Sequence, residues 1–232
     1  MTLSVDRVNS DKADRFSGLG GSVESVVAAI RDHIRTLRLL PGEQVRQSDW
    51  ATRVGVSRVP VREALNSLAL AGVLTHDPNR GFFLTKYSQT ELAQLHKVRG
   101  TIEVECVRTL DWPSAKEMKA LKSLNASMRD AVMNGDSARW LQAHDELHLM
   151  VLSLSPLTML AEEADRLYVR TESFRALRAH NALQSSHADS MYQREVIEVL
   201  QEHDRDRLID LYSQKMRVRE DDLKQWTSLA VD

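Results

Sequence analysis

A single cysteine, Cys106, stands in 232 residues. It can form no internal disulfide, which fits a reducing cytosol. Without an oxyanion motif beside it, Cys106 reads as a helix core residue rather than a nucleophile. Long apolar runs are also missing, and none approaches the ~20 residues a membrane-spanning helix needs. The opening stretch, MTLSVDRVNSDKADRF, lacks the apolar centre of a secretory signal. There is no HExxH motif, no glycine-rich phosphate loop and no nucleophile elbow, which weighs against an enzyme. No tandem repeat or low-complexity tract is visible. Hydrophobic content of 42% and charged content of 28% suit a packed core under a soluble surface. The length suits one large domain or two small ones.

Nor is there a marked excess of charge of one sign, the net value being −2. That average hides an asymmetry. Residues 1–88 hold 12 Lys and Arg against 9 Asp and Glu, a balance of +3, and the remainder holds 19 against 24, a balance of −5. A mildly basic head on an acidic body would keep attraction to phosphate local.

Residues 1–21 are polar, end in Gly18, Gly20 and Gly21, and read as a flexible arm. Ser22 is the expected cap of a helix in which Val23, Val26, Val27, Ile30, Ile34 and Leu37 recur at helical spacing, with Pro41-Gly42 beyond it. A second helix is predicted over about 48–54, Gly55 as a corner, and a third helix from Ser57 through Ala71. The period then changes to two short strands, 73–75 and 81–85, joined by the turn 76–80. After Gln89 only helices are expected, over about 89–110, 114–134, 137–154, 157–180, 187–203 and 205–228. The fold class is therefore mainly α: an N-terminal winged helix-turn-helix with a two-stranded wing over 22–87, and an all-helical antiparallel bundle over 88–232.

Two short helices around a glycine corner present the second of them outward, where it can enter a DNA major groove. Its first turn is Ser57-Arg58-Val59-Pro60-Val61-Arg62. Arg58 and Arg62 share a face, and an arginine fork matches guanine O6 and N7. Ser57 can cap the helix or bond a phosphate. Pro60 falls in the first turn, where its missing N–H costs little. Asn79, Arg80 and Gly81 at the hairpin tip could reach the minor groove or phosphates. The competing readings are a solvated helix face and an ordinary turn. PGEQVRQSDWATRVGVSRVPVREALNSLALAGVL, closing with RGFFL, resembles the GntR family of bacterial regulators. That resemblance implies a homodimer on a palindromic operator, Arg58 and Arg62 as base and phosphate contacts, and Gly81 at the wing tip. Where many relatives carry an arginine in the second helix this chain has Ser48, for which Gln47 or Arg53 would have to compensate.

The helical remainder resembles the FadR-like branch of that family, with an effector-binding domain of six or seven helices. Val98-Arg99-Gly100-Thr101-Ile102-Glu103 matches its R-x-x-[apolar]-E signature. By that resemblance Arg99 grips a ligand carboxylate. By spacing alone it equally reads as an ion pair with Glu103. His144 and His148, four apart, could chelate a divalent ion such as zinc or nickel, and Asp145 with His148 is a second pair. Relatives that bind a metal do so through Asp-x-x-x-His and two later histidines, whereas this chain has His144 at the aspartate position and Gln193 and Lys215 at the later ones. His180, His187 and His203 would contribute only in another register. The pattern favours a metal-free polar cavity with Arg99, His144, His148 and Gln193 around a small acid. The methionines Met118, Met128, Met133, Met150 and Met159 read as core or dimer packing. The expectation is a cytoplasmic, nucleoid-associated transcriptional regulator whose partners are operator DNA, an effector and a second copy. The alternatives are a metal-dependent enzyme and a ligand-independent architectural DNA-binding protein.

Overall fold

Val26, Ile30 and Ile34 line one face of the first helix, α1 (Val23–Arg35), and are fully buried. The apolar pattern extends to Leu37, yet the helix ends before it. Leu37 adopts a φ of 54°, a left-handed conformation that terminates a helix. A short strand β1 (Gln44–Val45) precedes α2 (Gln47–Val54) and α3 (Arg58–Leu70). Gly55 forms the corner between these helices at a φ of 74°, its N–H donating to the Ala51 carbonyl at 3.0 Å. Only glycine takes that conformation without strain. Val61, Ala64, Leu65 and Leu68 form the buried face of α3, which packs on α1 and α2. Truncating a leucine in such a core to alanine costs about 2–5 kcal/mol.

Strands β2 (Leu74–Asp77) and β3 (Gly81–Leu84) form an antiparallel hairpin. β1 adds to the other edge of β3, with Gln44 opposite Phe83 and Val45 opposite Phe82, giving the order β1-β3-β2. The wing hairpin thus belongs to a three-stranded sheet. A two-residue strand has no alternation for a sequence reading to detect.

The computed structural model describes residues 23–185 and 188–226. The expected arm, the Ser22 cap and His187 lie outside them. The chain divides between Lys86 and Tyr87 into two compact units. In the second run α4 (Gln89–Thr109), α5 (Ala115–Met133), α6 (Ser137–Leu152), α7 (Thr158–Arg170), α8 (Glu172–Ser185), α9 (Ala188–Glu202) and α10 (Arg205–Trp226). α4 packs on α10 and α7, α5 on α6 and α9, and α6 on α8. Ser88 and Glu91 form a capping box at the start of α4, and Ser114 and Glu117 another at the start of α5. In each the serine hydroxyl accepts an N–H that would otherwise be orphaned, and the glutamate reaches back. These bonds hold both carboxyls below the usual glutamate range.

The stretch expected as one helix over 157–180 is two, α7 and α8, parted at Thr171. The Thr171 hydroxyl donates to the Tyr168 carbonyl at 2.9 Å, and no proline or glycine marks the break. Cys106 is fully buried, and burial pushes its thiol up, as suits an unreactive core residue. Among the described residues no helix is long and apolar enough to cross a membrane.

Candidate functional site

In the first unit the start of α3 is an open, basic surface. Arg58 and Arg62 are exposed one turn apart, and neither has an acidic partner among the described residues. Val59 between them is 57% exposed. Ser57 occupies the N-cap position in extended backbone, but its side chain makes no capping bond. The expected cap is therefore absent, and the hydroxyl is left to another acceptor.

The hairpin tip is ordered by the Asp77 side chain. Asp77 accepts the N–H groups of Asn79 and Arg80 on Oδ1 at 2.9 and 3.2 Å. Gly81 follows at a φ of 91°. The Arg80 guanidinium lies over the Phe83 ring at 5.1 Å. Gln44, which the sequence reading passed over, donates to the Arg80 carbonyl and accepts from Arg46 Nε at 3.0 Å. One amide on β1 thereby ties the wing tip to the residue that precedes α2.

Arg53, a candidate to stand in for the arginine missing at Ser48, has partners within the first unit. Its guanidinium lies over Trp50 at 5.2 Å and donates to His33 Nε2. His33 in turn donates through Nδ1 to the Ala29 carbonyl at 3.0 Å. This pairing requires a neutral imidazole. Burial first, and then the charge of Arg38, lower its pKa. Gln47 is half-buried, and Ser48 donates to Asp49 at 2.9 Å.

The second unit buries its charges. The buried face of α4 carries His96, Arg99 and Glu103 ahead of Cys106 and Val107, polar side chains where apolar ones are usual. Arg99 and Glu103, 1% and 2% exposed, form an ion pair at 2.9 Å. His148 donates through Nε2 to Glu103 at 3.0 Å, and Arg99 donates to the Thr171 hydroxyl at 3.1 Å. Tyr168 is the hub of the network. It stacks on His148 at 4.5 Å, and the Arg175 guanidinium covers its ring at 3.7 Å.

The Tyr168 phenol donates to Asp145 Oδ1 at 2.9 Å and lies 2.9 Å from His144 Nδ1. Its single proton being given to Asp145, it accepts from His144. Arg175 pairs with the same carboxylate. Burial keeps the phenol protonated by pushing its pKa well above the tyrosine range. Burial opposes the Arg175 charge, but its pKa is raised, Asp145 foremost and then Glu172 offsetting the burial.

A small cleft opens beside this network, with about 20 Å³ accessible to water, room for little more than one molecule. Of the four residues predicted around an acid, Arg99 and His144 line it. His148 and Gln193 are buried but do not. Its other polar and aromatic walls are His96 from α4, Trp140 from α6, and Phe174, Arg175 and Arg178 from α8. The sequence reading missed Phe174, Arg175 and Arg178 because it treated α7 and α8 as one helix. Arg175 and Arg178 are three apart, so they share a face. Arg175 Nε is buried with no hydrogen-bond partner among the described residues, a cost of about 1–3 kcal/mol unless another acceptor meets it.

Residues 22–84 match the profile of bacterial regulatory proteins of the gntR family, and residues 94–217 match the FCD domain. The chain belongs to the GntR family, with an FCD domain behind its helix-turn-helix. The Nta operon transcriptional regulator of Aminobacter aminovorans is 31% identical over 121 residues, 50% of this chain and 55% of that protein. The chain thus spans about half the length of that relative. The HTH-type transcriptional regulator BphR of Paraburkholderia xenovorans (strain LB400) is 27% identical over 192 residues, 78% of each chain. The solved structure of E. coli McbR/YncC shares the fold at a TM-score of 0.74, with 18% identity over 88% of this chain and 98% of that one.

At the positions where metal-binding relatives of this GntR chain are expected to carry ligands, the donors are already engaged or unsuited. His144 and His148 each hold a protein partner through one ring nitrogen. Gln193 supplies a neutral amide, and the Lys215 ammonium lies over the Tyr192 ring at 4.2 Å. A protonated lysine has no lone pair to give. Among the described residues no group of three His, Cys, Asp or Glu side chains is spaced to hold an ion. His203 lies instead against Trp112 at 4.9 Å, and His180 is exposed. These residues do not fit a divalent metal.

Proposed function

We propose that this GntR-family protein is a transcriptional regulator that binds a palindromic operator as a homodimer, with DNA affinity modulated by a small carboxylic acid in the helical unit. The observation that carries the DNA half is the exposed, unpaired Arg58 and Arg62 at the start of α3. A surface that served only solubility would offer them carboxylate neighbours, whereas phosphates and guanine edges reward leaving them free. Val59 offers a methyl surface to thymine, and Ser57 a hydroxyl to a phosphate. Arg80 and Asn79 contact the backbone or minor groove from the wing, with Gly81 allowing close approach. Two-fold symmetry of the operator follows from pairing two such units.

In the helical unit Arg99, His144, Arg175 and Arg178 face the acid, while His148 and Gln193 support the polar interior behind them. The site works without a metal. Binding changes DNA affinity by favouring one of two dimer geometries, which requires different ligand affinity in each. Relatives named as transcriptional regulators support this reading, as does the gntR profile. Gel-shift titration with the DNA flanking the protein's own gene, in excess competitor DNA, tests it. A retarded band that survives competitor, and that moves with added acid but not with chelator, is expected. Binding that competitor abolishes completely would contradict the operator reading.

A further inference from the structure

Arg46 stands where a helix prefers another residue. It occupies the N-cap position of α2 in extended backbone and makes no capping bond, whereas Ser, Thr, Asp or Asn there would accept an orphaned N–H. Its charge also sits at the positive end of the helix dipole. Capping and dipole thus both disfavour an arginine here, and residues that break such local rules cluster at functional sites. The sheet gives this side chain a direction. Gln44 pairs with Phe83 and Val45 with Phe82, so alternation along the strand puts Gln44 and Arg46 on the face of Phe83. Arg80 brings its guanidinium to the same face, over the Phe83 ring. Gln44 joins the two arginines, accepting from Arg46 Nε at 3.0 Å and donating to the Arg80 carbonyl. Both arginines are exposed, and neither meets a carboxylate among the described residues. The carboxylates nearest to them in sequence serve the chain's own donors. Glu43 accepts the Leu40 N–H at 3.0 Å, Asp49 the Ser48 hydroxyl at 2.9 Å, and Asp77 the N–H groups of Asn79 and Arg80.

We propose that Arg46 is a further DNA-binding residue, and that Gln44 couples it to Arg80 so that the two guanidiniums hold the phosphodiester backbone as one clamp. The proposal rests on the DNA-binding reading above and adds a contact at the root of the wing. With Arg46 Nε engaged by Gln44, both terminal nitrogens of the fork stand without a partner among the described residues. Phosphate oxygens accept such paired donors. Contacts of this kind fix register and orientation rather than read sequence, a role that suits two arms set by one amide. A phosphate held by Arg46 also brings negative charge to the uncapped start of α2, where it is favoured.

The test is fluorescence anisotropy of the full-length chain at several salt concentrations on two duplexes of equal length, the DNA flanking the protein's own gene and a scrambled version of it. Arg46→Ala should weaken binding to both by a similar factor and make the log–log salt slope shallower by about 0.9, as loss of one phosphate contact requires. Arg46→Lys keeps the charge and should restore the slope. Arg46→Ala and Arg80→Ala together should cost less than the product of their single losses, by at least about threefold. In a Gln44→Ala chain the two losses should simply multiply. Far-UV circular dichroism confirms that each variant folds. Wild-type affinity and slope in Arg46→Ala would overturn the assignment of Arg46, and losses that multiply with Gln44 in place would overturn the coupling. Equal binding of both duplexes by the wild type would overturn the operator reading alone, since the effect of Arg46 is read on either duplex. If neither duplex is bound, both readings fall together.

Discussion

Arg58 and Arg62 in the first unit stand exposed with no acidic partner among the described residues, whereas Arg99 and Arg175 in the second are buried and each meets a carboxylate. The same side chain is thus placed under two energetic regimes. At the start of α3, water solvates the guanidinium, and its charge is available to a polyanion at little cost to folding. Beneath Tyr168 the guanidinium has lost its water, and Asp145, the Tyr168 ring and carbonyl, and the nearby Glu172 keep it tolerable. The lesson is that charge near a surface can be reserved for a partner, while charge in a core must be balanced within the chain. The first unit follows the usual apolar interior, with Ile30, Leu65 and Leu84 at its centre. The second gives up part of its core to a polar network of Arg99, Glu103, Asp145, His148 and Arg175.

Breaking that balance should produce the largest effect. Asp145→Ala leaves Arg175 buried without its carboxylate and removes the acceptor of the Tyr168 phenol. A destabilisation of about 3–5 kcal/mol is expected in urea unfolding. A change below about 0.5 kcal/mol, typical of exposed sites, would mean that the network is not the support described. Arg58→Ala or Arg62→Ala should by contrast leave the urea midpoint almost unmoved.

A smaller effect sharpens the comparison from the first unit. His33 is held neutral by burial and by Arg38 and Arg53, against the weaker pulls of the Ala29 carbonyl and Asp32. Its folded pKa is lowered, so the unfolded chain binds the proton more readily. The stability it contributes is complete above the ordinary histidine value of about 6.5 and is lost as pH falls below it towards the lowered value. Thermal unfolding followed by tryptophan fluorescence should show a lower midpoint at pH 5 than at pH 7.5. His33→Gln should flatten that difference, and an equal pH dependence in both proteins would refute the assignment.

The contrast between the units also explains what the sequence could disclose. Pro41-Gly42, Gly55 and the alternation through Phe82 and Leu84 are local signals, and they define the winged helix-turn-helix almost element by element. Arg58 and Arg62 are legible because they act outward from a single helix turn. β1 escapes notice because two residues make no pattern, and its role through Gln44 depends on a partner 36 positions away. The break at Thr171 lacks proline and glycine and depends on a hydroxyl–carbonyl bond instead. Arg99 and Glu103 at i,i+4 look the same on paper whether the pair is solvated or buried. Only the packing of α4 against α7 and α10 decides that, and the arginines of α8 enter the site only once α8 has turned away from α7.

The central claim is that the free arginines of α3 hold DNA. Its most direct test is operator affinity at several salt concentrations for the wild type, Arg58→Ala and Arg62→Ala. The account predicts weaker binding by each variant. Loss of a phosphate contact should make the salt dependence shallower by about 0.9 in the log–log slope. Loss of a base contact should instead reduce discrimination against the mismatched pair by about 1–3 kcal/mol. Wild-type affinity, slope and discrimination in both variants would contradict the account.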